Sequence, residues 1–213
     1  HLNDIILVLP VFGPDHSLLA FAGTIAHHLE VGGAMAGSNA DATEIYQEGL
    51  ILPSMRIDFE KDLYGGPIEQ IISANVRCPD VVLGDLRAQM SSVLRGKARL
   101  LEILERYGAE KFIAGMAELQ DYSERRMRAV IDRIPDGVYT GDDTLDGQRA
   151  GDPLVPMHAK ITVKGDEVEV DLTGCADQVV WPINIPLAST QSGTLTLFAT
   201  LLGPEAITNA GTY

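Results

Sequence analysis

The sequence predicts a mixed α/β fold of the α+β kind, built from β-hairpins and a long antiparallel helix pair. Three observations predict it. Two nearly continuous apolar runs, 5–12 and 18–26, flank a polar Gly13-Pro14-Asp15 tip. Apolar residues then recur at helical spacing through residues 85–134, and strict alternation sets in over 159–172. No internal repeat and no low-complexity segment breaks this order.

The first pair of runs reads as a β-hairpin buried on both faces, because neither strand alternates with polar residues. A loop of glycines and small residues follows, Gly32-Gly33-Ala34-Met35-Ala36-Gly37-Ser38-Asn39. From Asp85 to Tyr107 the stripe Leu86, Met90, Val93, Leu94, Leu101 and Leu104 predicts a helix that stops at Gly108. A second helix is predicted from Glu110 to Ile134, ended by Pro135-Asp136-Gly137. So short a link predicts that the two helices pack antiparallel. Ala159, Ile161 and Val163 alternate up to a Lys164-Gly165-Asp166-Glu167 turn, and Val168, Val170 and Leu172 alternate away from it. A last helix is expected over Ser189 to Leu202, ending at Gly203-Pro204. The chain thus divides into residues 1–55 (hairpin, glycine loop and candidate metal site), 80–135 (helix pair) and 137–213 (second hairpin and helix).

Composition narrows the function. Of 213 residues, 46% are hydrophobic and 22% charged, which is the balance of a globular protein. Thirty acidic against sixteen basic residues leave a net charge of -14, and no basic patch offers a nucleic-acid partner. No apolar run approaches the roughly 18 residues of a membrane span. Cys78 and Cys175 fit no disulfide framework, so a reduced, cytoplasmic setting is expected, with Cys78 as a small buried apolar residue. The chain opens on His1 and stops at Tyr213 just after an Asn-Ala-Gly turn, which suggests a fragment of something larger.

Histidine is scarce, so its placement is informative. His1 and Asp4 flank the start of the first strand, and His27 and His28 close the second. A hairpin with Phe12 near Leu18 brings Asn3 opposite His27, so both ends converge on one rim. Two imidazoles and a carboxylate there match a site for zinc, manganese or iron(II). Residues three apart in a strand point to opposite faces, so His1 and Asp4 share a metal only across a turn or bulge. Adjacent His27 and His28 face opposite ways, leaving one of them to bind. The plain alternative is a set of polar strand-end residues. Gly32 to Gly37 has the spacing of a phosphate-binding loop without its lysine, so a pocket wall is favoured over nucleotide binding. Asp142 to Gly147 opens like a calcium loop, but Pro153 stands where a bidentate glutamate is required, so a solvated acidic turn is expected. Arg77, alone between Val76 and Cys78-Pro79, needs an anionic partner: an internal carboxylate is favoured, and a substrate phosphate or carboxylate is the alternative.

Several segments in order resemble the hydantoinase B/oxoprolinase family, the B-type subunits of ATP-dependent hydantoinases and of acetone and acetophenone carboxylases. They are His1-Leu2-Asn3-Asp4 with Pro10-Val11-Phe12, His27-His28-Leu29-Glu30-Val31-Gly32-Gly33, and Ile45-Tyr46-Gln47-Glu48-Gly49-Leu50. Asn75-Val76-Arg77-Cys78-Pro79, Gly84-Asp85-Leu86, the Pro135-Asp136-Gly137 turn, Asp171-Leu172-Thr173-Gly174 and Asn209-Ala210-Gly211 complete the series. The resemblance implies a large mixed α/β subunit of which this chain is well under half. It implies metal ligation by His1, Asp4 and His27, with a further acidic ligand upstream of this chain. Glu30 departs from the aspartate usual in the family.

The resemblance also implies a division of labour. An A-type ATPase subunit phosphorylates the amide or enol oxygen of a small cyclic amide or ketone. The B-type subunit receives the activated intermediate at a divalent metal: zinc, manganese or iron. The expected function is therefore the metal-dependent subunit of an ATP-dependent cyclic amide hydrolase, inactive without its partner in a cytoplasmic hetero-oligomer. A ketone carboxylase subunit is the second reading and a non-catalytic assembly lobe the third. Arg77 is the expected contact to substrate phosphate, and no catalytic residue is assigned.

Overall fold

The structure, a computed structural model, describes residues 2–38, 40–204 and 206–213; His1 of the expected metal set and Asn39 of the glycine loop lie outside the described residues. The chain forms two compact units, residues 1–113 and 114–213. Helix and strand mix in both, as the sequence predicts.

In the first unit, β1 (Asp4–Phe12) and β2 (Leu18–His27) pair antiparallel. The polar tip closes as expected: the Asp15 carboxylate accepts from the Ser17 N–H at 3.1 Å and from its hydroxyl at 2.6 Å. Among the described residues only one face is buried, where the apolar runs predict burial on both. Leu7, Val11 and Ala22 are in the core, whereas Ile6, Val8, Phe21 and Ile25 are exposed. An unbroken apolar run leaves open which face is covered, and within this unit helices lie on one face only.

Two helices begin with proline in the first turn, α1 (Pro67–Asn75) and α2 (Pro79–Tyr107). Proline fits there because the first-turn N–H groups have no intrahelical acceptor to lose. Periodicity does not predict the short α1, and α2 starts at Pro79 rather than Asp85. Leu83, Leu86, Met90 and Val93 of α2 pack with Leu7, Val11 and Ala22 of the hairpin and with Ile72 of α1. Gly108, at φ +81, ends α2 as predicted. After it comes α3 (Ala109–Ile131).

In the second unit a three-stranded antiparallel sheet runs in the order β3 (Gly137–Leu145), β4 (Val155–Lys164), β5 (Glu167–Asp171). The β4–β5 turn falls at the predicted place, with Lys164 opposite Glu167. Val163 and Leu202 form a core with Met127 and Ile131 of α3. The two long helices exist with about the expected lengths; Leu83, Leu86, Met90 and Val93 of α2 belong to the core of the first unit, and Met127 and Ile131 of α3 to a core in the second. Residues 142–145, expected as an acidic turn, belong to β3, because the backbone there pairs with Val155 to His158 and the carboxylates sit on exposed positions. The last helix, α4 (Leu187–Ala199), continues as a tight turn through Leu202. Among the described residues no helix is long and apolar enough to cross a membrane.

Candidate functional site

A slip of one residue builds the rim of the first hairpin. Phe12 lies opposite Leu18, but Val11 lies opposite Ala20, and from there the register runs evenly to Asp4 opposite His27. Without the slip Asn3 would face His27, as a uniform hairpin predicts. The irregularity, a β-bulge, re-aims everything beyond it. Directly opposite residues share a face, so the Asp4 and His27 side chains meet: Nδ1 of His27 lies 2.9 Å from Oδ1 of Asp4. Burial favours the neutral form of the Asp4 carboxyl, the bond with His27 is the strongest effect opposing it, and the balance holds Asp4 below the ordinary carboxylate range.

The pair suits neighbouring metal ligands. Two donors at about 2.05 Å from one ion and at a right angle to each other stand about 2.9 Å apart. Among the described residues no group of three or more histidines, cysteines or carboxylates forms a metal set. The described residues thus bring together two of the three expected ligands.

Beneath the pair lies a polar framework that sequence patterns do not reveal. Asn3 is buried; its carbonyl accepts from the N–H of Ile5 at 3.1 Å and of His28 at 2.8 Å, and its Nδ2 donates to the His28 carbonyl at 3.0 Å. His28 is completely buried and bonds through Nε2 to Oε1 of Gln89 at 2.8 Å. The Gln89 amide nitrogen donates to the Ile5 carbonyl at 2.8 Å. Its oxygen is therefore the acceptor, and Nε2 of His28 carries the proton. Nδ1 of His28 is buried without a partner among the described residues. Neutral imidazole has one donor and one acceptor, so this orphan is the acceptor. His28 thus serves to tie strand ends to α2. One signal was available: Gln89 interrupts the apolar stripe between Leu86, Met90 and Val93.

The glycine loop is shaped by a second buried group. Glu30 accepts from the backbone N–H of Gly32 at 2.7 Å, of Cys78 at 3.1 Å, and of Arg77. The Arg77 guanidinium reaches Glu30 at 3.3 Å and the Gly33 carbonyl at 2.8 Å. The internal carboxylate that Arg77 requires is therefore Glu30, and part of its half-exposed guanidinium faces solvent. Burial pushes the Glu30 carboxyl up, but the three N–H bonds and Arg77 outweigh it and hold the group below its usual value. The longer side chain at position 30 serves the loop and the start of α2. Cys78, expected to be buried, is exposed at that helix start, and both cysteines are free. Gly32, at φ +86, lies against the Asn75 carbonyl, and Gly33, at φ +80, lies against Gln47 and Glu48; a Cβ at either would collide with backbone.

The family model described as hydantoinase B/oxoprolinase matches residues 1–213. The chain is 37% identical to a protein of Pseudomonas sp. (strain NS671) named as the B-type part of a D-/L-hydantoinase, over 89% of this chain and 33% of that protein. It is similar to the crystal structure of ATP-dependent caprolactamase from Pseudomonas jessenii, with a TM-score of 0.83 and 30% identity over 100% of this chain and 36% of that one. Nucleotide-free acetone carboxylase gives a TM-score of 0.85 at 16% identity, over 99% of this chain and 29% of that one, which is a likeness of fold. The chain spans about a third of the length of the relatives it matches.

Proposed function

The chain belongs to the hydantoinase B/oxoprolinase family, and on that footing we propose that it forms part of the metal-dependent subunit of an ATP-dependent cyclic amide hydrolase. Its substrate is an intermediate phosphorylated by a partner A-type ATPase subunit in a cytoplasmic hetero-oligomer. The observation that carries this reading is the cross-strand pair of Asp4 and His27, 2.9 Å apart on the rim of the hairpin.

Asp4 and His27 would hold a divalent ion, with His1 as a third donor. Such an ion supplies Lewis acidity and lowers the pKa of bound water. Asp4 stays ionised through the neutral range, as a carboxylate ligand must be. Asn3, His28 and Gln89 keep the two strand ends, and so the two donors, at fixed separation. Glu30 and Arg77 hold the glycine loop as a rigid wall, and the solvent-facing part of the Arg77 guanidinium is the proposed contact for the anionic oxygens of the phosphorylated substrate. The hydrolase reading leads the ketone carboxylase reading because sequence identity is higher toward hydantoinase and caprolactamase, whereas acetone carboxylase supports fold alone.

The test uses the full-length subunit purified with its ATPase partner, assayed for phosphate release. Hydantoin, 5-oxoproline or caprolactam should stimulate ATP turnover, and His27→Ala and Asp4→Ala should each abolish product formation and bound metal together. Turnover that requires bicarbonate and a ketone would replace the hydrolase with the carboxylase. Full activity in both variants would remove the metal-centred reading.

A further inference from the structure

The second unit holds a cavity of about 770 Å³ between the β3–β4 pair and the segment from Leu172 to Thr190. Its walls are mostly apolar, with Leu145, Met157, Val179 and Ile185 among them. Large apolar cavities with few polar groups are the usual form of a small-molecule site, and the polar groups set what is accepted.

Most of those polar groups are already committed. Asn184 accepts from the Val179 N–H at 2.9 Å and donates to the carbonyls of Val179 and Trp181. Thr190 donates to the Pro186 carbonyl at 3.3 Å. The Cys175 thiol accepts from the backbone N–H of His158 at 3.4 Å and donates to its carbonyl at 3.2 Å. His158 itself is different. It lies directly opposite Asp142 across the β3–β4 ladder, and its Nδ1 is 2.7 Å from Oδ1 of Asp142. A carboxylate accepts, so Nδ1 carries a proton, and in the neutral ring Nε2 is then left as an acceptor. Nε2 has no hydrogen-bond partner among the described residues. The ring is also held from behind: a Cβ on Gly174 would come within 2.8 Å of it, so only glycine lets the imidazole lie this close to the backbone. A fixed tautomer and a backed ring make an oriented acceptor.

We propose that this cavity binds an uncharged, mainly apolar ring compound that presents one N–H donor to Nε2 of His158. Carboxylates at Asp142, Asp143 and Asp177 border the cavity and disfavour anions. The site stands on residues of the second unit alone and does not depend on the metal-centred reading.

Indole and 1-methylindole, which differ by that one donor, are the probes, titrated by calorimetry into the full-length subunit. Indole should bind about tenfold more tightly than 1-methylindole, the scale of one hydrogen bond with a buried acceptor left unpaired. His158→Phe should erase the difference while keeping the bulk of the ring. Asp142→Asn, at an exposed position, tests orientation: its amide allows the opposite tautomer, so the preference for indole should vanish while 1-methylindole binds as before. Equal binding of the two probes to the unaltered protein, no binding of either, or a preference that survives His158→Phe would overturn the proposal. Tighter binding of cyclohexylammonium than of indole would also overturn it, because the acidic border would then be what selects the ligand.

Discussion

Gln89 is a single polar residue on which two chain segments depend. Its oxygen accepts a hydrogen bond from a completely buried imidazole, and its nitrogen donates to the Ile5 carbonyl beside Asp4. Gln89→Leu would leave both unpaired, at a cost of about 1–3 kcal/mol for each buried group. Urea unfolding of the full-length subunit should show that loss, and metal affinity should fall about tenfold because the strand ends carrying Asp4 and His27 lose their anchor. Unchanged metal affinity with lowered stability would confine Gln89 to folding. Glu30 adds a pH dependence. Its carboxyl is lower in the folded than in the unfolded chain, so its stabilising contribution is complete above the ordinary glutamate range and disappears as pH falls through the folded-state value. Glu30→Gln should therefore flatten the acid side of a stability–pH profile while lowering stability at neutral pH. Asp4, His27 and the need of Arg77 for an internal carboxylate were legible in the sequence because each is a chemical type at a telling place. Asn3 was not, and Gln89 showed only as a polar break in the apolar stripe of α2, since their roles depend on partners up to 84 positions away.

At the scale of elements, periodicity revealed both hairpins and the two long helices, and failed where the backbone alone decides. The acidic β3 lies on exposed positions, so its side chains show no alternation and only pairing with β4 makes it a strand. The slip between Val11 and Phe12 leaves the composition of both strands unchanged, yet it exchanges Asn3 for Asp4 opposite His27. The glycine loop gives an element-level prediction. Gly33 and Gly37 share φ +80, but a Cβ at Gly33 meets the backbone of Gln47 and Glu48, while the nearest atom to one at Gly37 is 3.8 Å away. Gly37→Ala should cost about 1 kcal/mol for the left-handed conformation alone. Gly33→Ala should cost clearly more, because the segment 31–34 must also separate from 47–50, to which the Ala34 N–H and the Leu50 N–H tie it at 2.9 and 2.8 Å. Thermal unfolding of the two variants side by side checks the order. Equal losses would mean that the loop yields at no cost.

For the molecule as a whole, the ordered series of motifs made the family legible, whereas the division into two units was not, because no linker composition marks residue 113. The outer face of the first hairpin is apolar and exposed among the described residues. Ile6, Phe21 and Ile25 are each about 60% exposed, and Ile6 and Ile25 lie directly opposite each other two positions from the Asp4–His27 pair. Soluble proteins seldom leave a contiguous apolar patch of this kind in water. The chain spans about a third of its relatives' length, so a subunit of that length has ample polypeptide to cover the face. Cover there would also keep bulk water from the rim and strengthen every charge interaction at it. Phe21→Asp in the full-length subunit distinguishes the two environments. Against a covered face a buried, unpaired carboxylate should lower the unfolding midpoint by many degrees and reduce metal binding at the rim. Against a solvated face the same change should shift stability by no more than about 0.5 kcal/mol. The first outcome makes the hairpin an internal layer of the subunit, with its candidate metal pair enclosed; the second leaves the pair open to a partner.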